Sequence, residues 1–196
     1  YESDRSLVGS EMCIRDSVEE HGFLLSFSAG NNGPGLGSYN RGMIYPKNVL
    51  VAGAYVGAEL DEYVHGVTGL PEEGRVVCYS SRGPSPDGGT APVVISPLAS
   101  LTAAGGGGGF RGFAGTSSAS PALAGLGTVL LSGIKQRGLP IDVTALVHAI
   151  RQSGVRLPDV PFVDQGAGLP KAARALEIYE QIVAGDRFAY VQSATN

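Results

Sequence analysis

Cysteine is scarce: Cys13 and Cys78 lie far apart and outside any C-x-x-C spacing, which argues against a disulfide framework and leaves the redox compartment open. Charge is also sparse. Lys, Arg, Asp and Glu make up 16% of the 196 residues, the net charge is −4, and no basic stripe occurs, so nothing points to nucleic acid. No cluster of closely spaced carboxylates marks a cation site, and no metal or cofactor is expected. No apolar run reaches the roughly 20 residues that span a bilayer, and residues 1–17 lack the hydrophobic centre of a signal peptide. No long tract is polar enough for disorder.

What is abundant is glycine, 30 residues, with 12 prolines and a 43% hydrophobic share. That suits one turn-rich domain with a real core, or most of a larger one. Residues 1–17 show no clean period and fit nothing that follows; they read as a non-native or flexible segment and stay outside the fold reasoning. Residues 18–184 read as the domain, and residues 185–196 as a tail or a linker to further domains.

From residue 23 strands alternate with loops. Residues 23–28 form a short apolar run stopped by Gly30-Asn31-Asn32-Gly33-Pro34-Gly35, a strand entering a loop. Residues 49–56 (VLVAGAYV) are apolar on both faces, as in a covered parallel sheet. Residues 76–79 and 93–95 are further strand candidates, and the five glycines at 105–109 suit a hairpin tip or loop. Residues 117–136 predict a long buried helix, with small Ala119, Ala122, Ala124 and Gly125 near its start. Val143, Leu146, Val147 and Ile150 recur at helical spacing behind a capping Asp142. Pro170 suits a first helical position ahead of Ala172, Leu176, Tyr179 and Val183. Strands followed by helices predict a layered α/β domain.

Three blocks carry chemistry. Gly115-Thr116-Ser117-Ser118-Ala119-Ser120-Pro121 opens the long helix, where unpaired backbone N–H groups and the positive helix end can stabilise an oxyanion forming beside a serine. Taken alone, Thr116 or Ser117 would more often be a helix cap. Ser28-Ala29-Gly30-Asn31 ends the first strand, where an Asn can aim its amide at developing negative charge, although Gly-Asn is also ordinary turn chemistry. Tyr79-Ser80-Ser81-Arg82-Gly83-Pro84-Ser85 contains no evident reacting group and reads as a structural turn.

In this order, and with Tyr45-Pro46 and Val49-Leu50-Val51-Ala52-Gly53-Ala54 between them, the blocks resemble the subtilase family of serine proteases over residues 18–184. In detail the chain is most similar to the tripeptidyl peptidase II branch, through Ala29-Gly-Asn-Asn-Gly-Pro, Gly53-Ala-Tyr-Val, Ser85-Pro-Asp-Gly, Leu131-Ser-Gly-Ile-Lys and Gln165-Gly-Ala-Gly-Leu. The resemblance implies a three-layer fold with a mostly parallel central sheet whose N-terminal strands precede this chain. It implies Ser117 as nucleophile, Asn31 and the Ser117 N–H as oxyanion donors, and Ser28, Ala29 and Gly30 lining a substrate pocket. It implies a peptide or protein substrate, no membrane partner, and a homo-oligomer only in a longer parent. Location follows the branch: cytoplasmic for tripeptidyl peptidase II, secreted for many other subtilases.

The family's catalytic Asp and His should stand upstream of Asn31. His21, His65 and His148 lack the His-Gly-Thr setting and read as structural or solvated; Asp4 and Asp16 fall in the segment set aside and lack Asp-x-Gly. Without a base a serine hydroxyl is a poor nucleophile, so this chain alone is expected to be inactive. Ser118 stands where the family commonly has Met, and Ser96-Pro97-Leu98 where many members have Ala-Pro-Gly. Two other functions compete: a catalytically dead scaffold on the same fold, and nucleotide binding at residues 105–109. The second lacks the Lys-Ser/Thr ending of a phosphate loop.

Overall fold

Eight small or apolar residues in succession give β2, Val49–Val56, a strand buried almost throughout. In chain order it follows β1, Leu25–Ser28, and precedes β3, Arg75–Val76, β4, Val94–Pro97, and the hairpin of β5, Ser100–Ala103, and β6, Phe110–Phe113. This computed structural model describes residues 20–38, 49–57, 66, 68–85 and 92–185. β2 pairs in parallel with β1, from Leu25↔Val49 to Ser28↔Ala52, and with β4, from Ala52↔Val94 to Tyr55↔Pro97. Among the described residues only the two-residue β3 is antiparallel to it. The helices that lie wholly within the described residues are α1, Thr116–Gln136, α2, Val143–Gln152, α3, Phe162–Gln165, and α4, Ala172–Val183.

Alternation along β2 divides the core. Leu50 and Ala52, with Val94, face a cluster built from Ala119, Leu123, Leu130 and Ile134 of α1, Leu146 and Ile150 of α2, and Tyr179 of α4. Val49 and Val51 face the opposite side, against Ala29, Leu25 and Phe27. The α/β class with a mostly parallel sheet is therefore observed, and the described residues supply the sheet and one helical layer. Buried Tyr179 keeps its hydroxyl satisfied, donating to the Pro140 carbonyl at 2.7 Å and accepting from Asp142 N at 2.8 Å. Asp142 caps α2 as expected, its carboxylate accepting from Ala145 N at 3.0 Å.

Four expectations need correction. The strand expected over residues 76–79 ends at Val76; residues 77–80 are a turn closed by Ser80 N to Val77 O at 3.0 Å. The chain leaves the sheet there because the Ser80 hydroxyl takes over the Ala54 N–H, at 3.0 Å. Pro170 is not the first helical residue: α4 begins at Ala172 behind Lys171, because the Val155↔Leu169 bridge holds the chain extended up to Pro170. Helix α1 is less enclosed than expected, with Ala119 buried but Ala122 and Gly125 exposed. Lastly, this 21-residue helix is long and apolar enough to cross a bilayer by length and composition. Its packing on β1, β2 and β4 identifies it instead as a core helix of the sheet.

Gly166, just past α3, has φ 58 and lies where a Cβ would overlap the Pro92 and Val93 carbonyl oxygens. A Gly166→Ala substitution meets both the left-handed backbone and the overlap, each costing about 1–3 kcal/mol. The urea midpoint is expected to fall accordingly with the slope unchanged.

Candidate active site

Helix α1 starts without a side-chain cap. Its N-cap is Gly115, at φ 104, and no side chain there accepts a hydrogen bond, so neither Thr116 nor Ser117 is the cap. Gly is required by that backbone conformation. Ser118 N and Ala119 N turn back to Gly115 O at 3.0 and 3.1 Å. Ser117 lies in the first turn, exposed, and among the described residues neither its N–H nor its hydroxyl makes a hydrogen bond. Pro121, inside the helix, has no N–H to offer the Ser117 carbonyl.

The rest of the first turn is fastened. The Ser120 hydroxyl donates to Ser26 O at 3.1 Å, and Ser26 Oγ returns a bond to Ser120 O at 3.0 Å, pinning α1 to β1. Ser118 Oγ lies 2.8 Å from Ser100 Oγ, joining the helix to β5. Ser117 is therefore left outward, ahead of two serines, Ser118 and Ser120, that are tied inward.

Thr116 determines where Asn31 points. The Asn31 Oδ1 accepts from Thr116 N at 3.1 Å and from Thr116 Oγ1 at 2.8 Å. A backbone N–H can only donate, so the atom facing it must be the amide oxygen, and the NH₂ group is turned away. That Nδ2 makes no hydrogen bond among the described residues. It stands at the helix start, 3.5 Å from where a Cβ on Gly115 would be. Two N–H donors at the positive end of the helix, Asn31 Nδ2 and Ser117 N, are thus unengaged among the described residues.

The loop bearing Asn31 has its own brace. Ser81 N donates to Gly30 O at 2.9 Å, Gly33 N to Tyr79 O at 2.9 Å, and Gly37 N to Gly83 O at 3.1 Å. Ser81 Oγ accepts from Asn32 N at 3.1 Å, and Ser38 Oγ from Arg82 N at 3.0 Å. A Cβ on Gly33 would lie 2.7 Å from Cys78 O and would overlap Ser80 O, so the two segments touch backbone to backbone. The Ser-Ser-Arg-Gly-Pro block is a turn, as expected, and its partner is the Asn31 loop. Its role was missed; the clustered serines, ready to bond nearby backbone, were the available signal.

Ser28, half-buried, ends β1. Ala29 is fully buried, its N–H donating to Ala52 O at 2.9 Å, and Gly30 is buried at φ 102. The structure brings Thr116, Ser117, Asn31 and Gly115 together at the mouth of α1. His21 is exposed and stacks at a tilt on Phe23, with ring centroids 5.7 Å apart. His148 is half-buried on α2, its pKa lowered by burial and then by neighbouring Arg151, which outweigh Asp142. Neither hydrogen-bonds Ser117; His65 lies outside the described residues. Among the described residues no three His, Cys, Asp or Glu side chains are grouped to hold a metal ion. Residues 105–109 are an exposed hairpin tip between β5 and β6, followed by a strand and not by the helix a phosphate loop needs.

Comparison with known proteins bears on this arrangement. Residues 4–159 match the subtilase family, peptidase S8. The chain is 30% identical to tripeptidyl-peptidase 2 of Oryza sativa over 177 residues, 84% of this chain and 12% of that protein. It is 28% identical to pyrolysin of Pyrococcus furiosus over 193 residues, 87% of this chain and 14% of that protein. The chain thus spans only about an eighth of the curated relatives it matches. Among solved structures, tripeptidyl peptidase 2 superposes with a TM-score of 0.66 at 26% identity, covering 89% of this chain and 12% of that one. The PatA protease domain, at 23% identity and a TM-score of 0.64, shares the fold over 87% of this chain and 52% of its own. The match from residue 4 to residue 159 spans most of the chain, including all three blocks and the mouth of α1, and the chain belongs to the subtilase family.

Proposed function

We propose that this chain is the nucleophile-bearing part of a serine peptidase catalytic domain, with Ser117 attacking the scissile carbonyl. The observation that carries the reading is the pair of unengaged donors beside Ser117, with the Asn31 amide oriented by Thr116. As Ser117 Oγ bonds to the carbonyl carbon, its proton passes to a histidine supplied from upstream of this chain. The former carbonyl oxygen, now negative, accepts from Asn31 Nδ2 and Ser117 N. The C–N bond then breaks, the leaving amine takes the proton from the histidine, and water releases the acyl group by the same route. Ser28, Ala29 and Gly30 form the wall beside the residue preceding the scissile bond. The resemblance to tripeptidyl-peptidase 2 supports release of short peptides as the activity of the longer protein.

Two substitutions at one position test the donor. Asn31→Ala is expected to lower kcat by about 10²–10³, a magnitude that belongs to subtilisin, another member of the family, and is carried over from it. Asn31→Asp keeps an oxygen for Thr116, so the loop stays placed, but presents a carboxylate to the oxyanion; its loss is expected to be at least as large. If the Asp variant retained full kcat in the complete peptidase, Asn31 would be a loop anchor and not a donor.

The second reading, a catalytically dead scaffold, is favoured by the absence of any hydrogen bond between Ser117 and His21 or His148. Against it, nothing in packing requires an exposed serine at position 117 beside the tied Ser118 and Ser120.

A further inference from the structure

We propose that Arg82, through its ion pair with Asp164, is a positioning residue for Asn31, coupling the C-terminal segment of the domain to the donor loop. The inference rests on the reading of Asn31 as an oxyanion donor. Arg82 Nη1 lies 3.1 Å from Asp164 Oδ2, with side-chain exposures of 25% and 8%. Asp164 belongs to α3, whose place is set by Gln165: that side chain accepts from Leu157 N at 2.7 Å and donates to Leu157 O and Val160 O at 3.1 and 2.6 Å. The backbone repeats the link, with Gly83 N donating to Val163 O at 3.0 Å. On its other side the same turn holds both ends of the Asn31 loop, through Ser81 to Gly30 and Asn32, and through Arg82 N to Ser38.

The turn is therefore clamped between α3 and the donor loop, and among the described residues its charged anchor is the Arg82–Asp164 pair. An ion pair this enclosed is weak evidence for net stability, but removing one partner strands the other charge away from water. What the pair supplies is a fixed distance and direction. Displacement of the turn moves Gly30 and Asn32, the two neighbours of Asn31, and a donor loses its effect when moved by a fraction of an ångström.

Removing both charges together avoids a stranded carboxylate. In the complete peptidase, Arg82→Met with Asp164→Asn is expected to lower kcat about tenfold, below the roughly 10² that a 1 Å misplacement costs. KM should stay within about twofold, as expected of an interaction made in the transition state. Arg82→Lys alone, which keeps a cation facing Asp164, should retain most of the kcat. In an Asn31→Ala background the double substitution should cost nothing further, because the donor it positions is already gone. Losses that multiply would show the pair acting elsewhere and would overturn the proposal.

A second readout does not depend on activity. In this chain the amides of Asn32, Gly33 and Gly37 are expected to exchange about tenfold faster in the double variant, with those of α2 and α4 unchanged. Unchanged exchange at residues 32–37 would sink the coupling. Faster exchange there, beside a complete peptidase indifferent to Ser117→Ala, would leave the coupling standing and remove the catalytic reading instead.

Discussion

Replacing Ser117 by Ala is expected to cost the complete peptidase about 10⁶-fold in kcat, the loss known for the nucleophile of subtilisin in the same family. KM should change little, since in the proposed mechanism the hydroxyl acts on the carbonyl in the transition state and is not needed to hold the peptide. The substitution deletes one exposed oxygen that makes no hydrogen bond among the described residues. Stability is therefore expected to stay within about 0.5 kcal/mol, the range for exposed positions free of special features. Folding and catalysis are thus expected to be separable at this position.

Ser118 provides the comparison. Its hydroxyl is buried and meets Ser100, so Ser118→Ala leaves Ser100 without that partner. A measurable stability loss of about 1 kcal/mol, with most of the kcat retained, is expected there. If the two variants behaved the other way round, the nucleophile would be Ser118 and the reading of the helix mouth would be wrong.

How far the sequence reached differs between the two halves of the site. β2 was legible residue for residue, because burial on both faces leaves an uninterrupted apolar run. α2 was legible through its spacing and its Asp142 cap, both local signals. The orientation of Asn31 was not, since Thr116 lies 85 positions away and a side-chain hydrogen bond leaves no period in the sequence. Local preference even favoured a competing answer: Thr and Ser at a helix start suggest capping, whereas the cap is Gly115 and the Thr116 donors are spent across the chain. The Ser-Ser-Arg-Gly-Pro turn was legible as a turn, but its brace on Asn32 spans 49 positions. α3 has four residues, too few for any helical period to show. Small residues gave the opposite error, because Ala122 and Gly125 read as buried yet are exposed.

The chain purified alone is expected to show no Ser117-dependent hydrolysis, and the same chain extended upstream is expected to show it at least about 10⁵-fold above that level. A serine without a base has its hydroxyl pKa far above neutrality, and loss of the triad histidine in subtilisin costs about as much as loss of the serine. Within this chain neither described histidine bonds Ser117: His21 is on the surface against Phe23, and His148 is half-buried on α2, its pKa lowered by burial and by Arg151. The extension should carry an Asp-x-Gly at a strand end and a His-Gly-Thr at a helix start, in that order. It should also add stability, because α1 presents Ala122, Gly125 and Val129 along one outward face, with Val129 65% exposed. Covering such a side chain contributes about 1.5–3 kcal/mol when burial is complete. The paired measurement is therefore turnover of a peptide substrate and the urea midpoint, on both lengths of chain and on Ser117→Ala of each. Gain of both, with the turnover abolished by Ser117→Ala, fits a peptidase divided between the two segments. Gain of stability without turnover would mean that the fold is completed but no base arrives, and the scaffold reading would then hold.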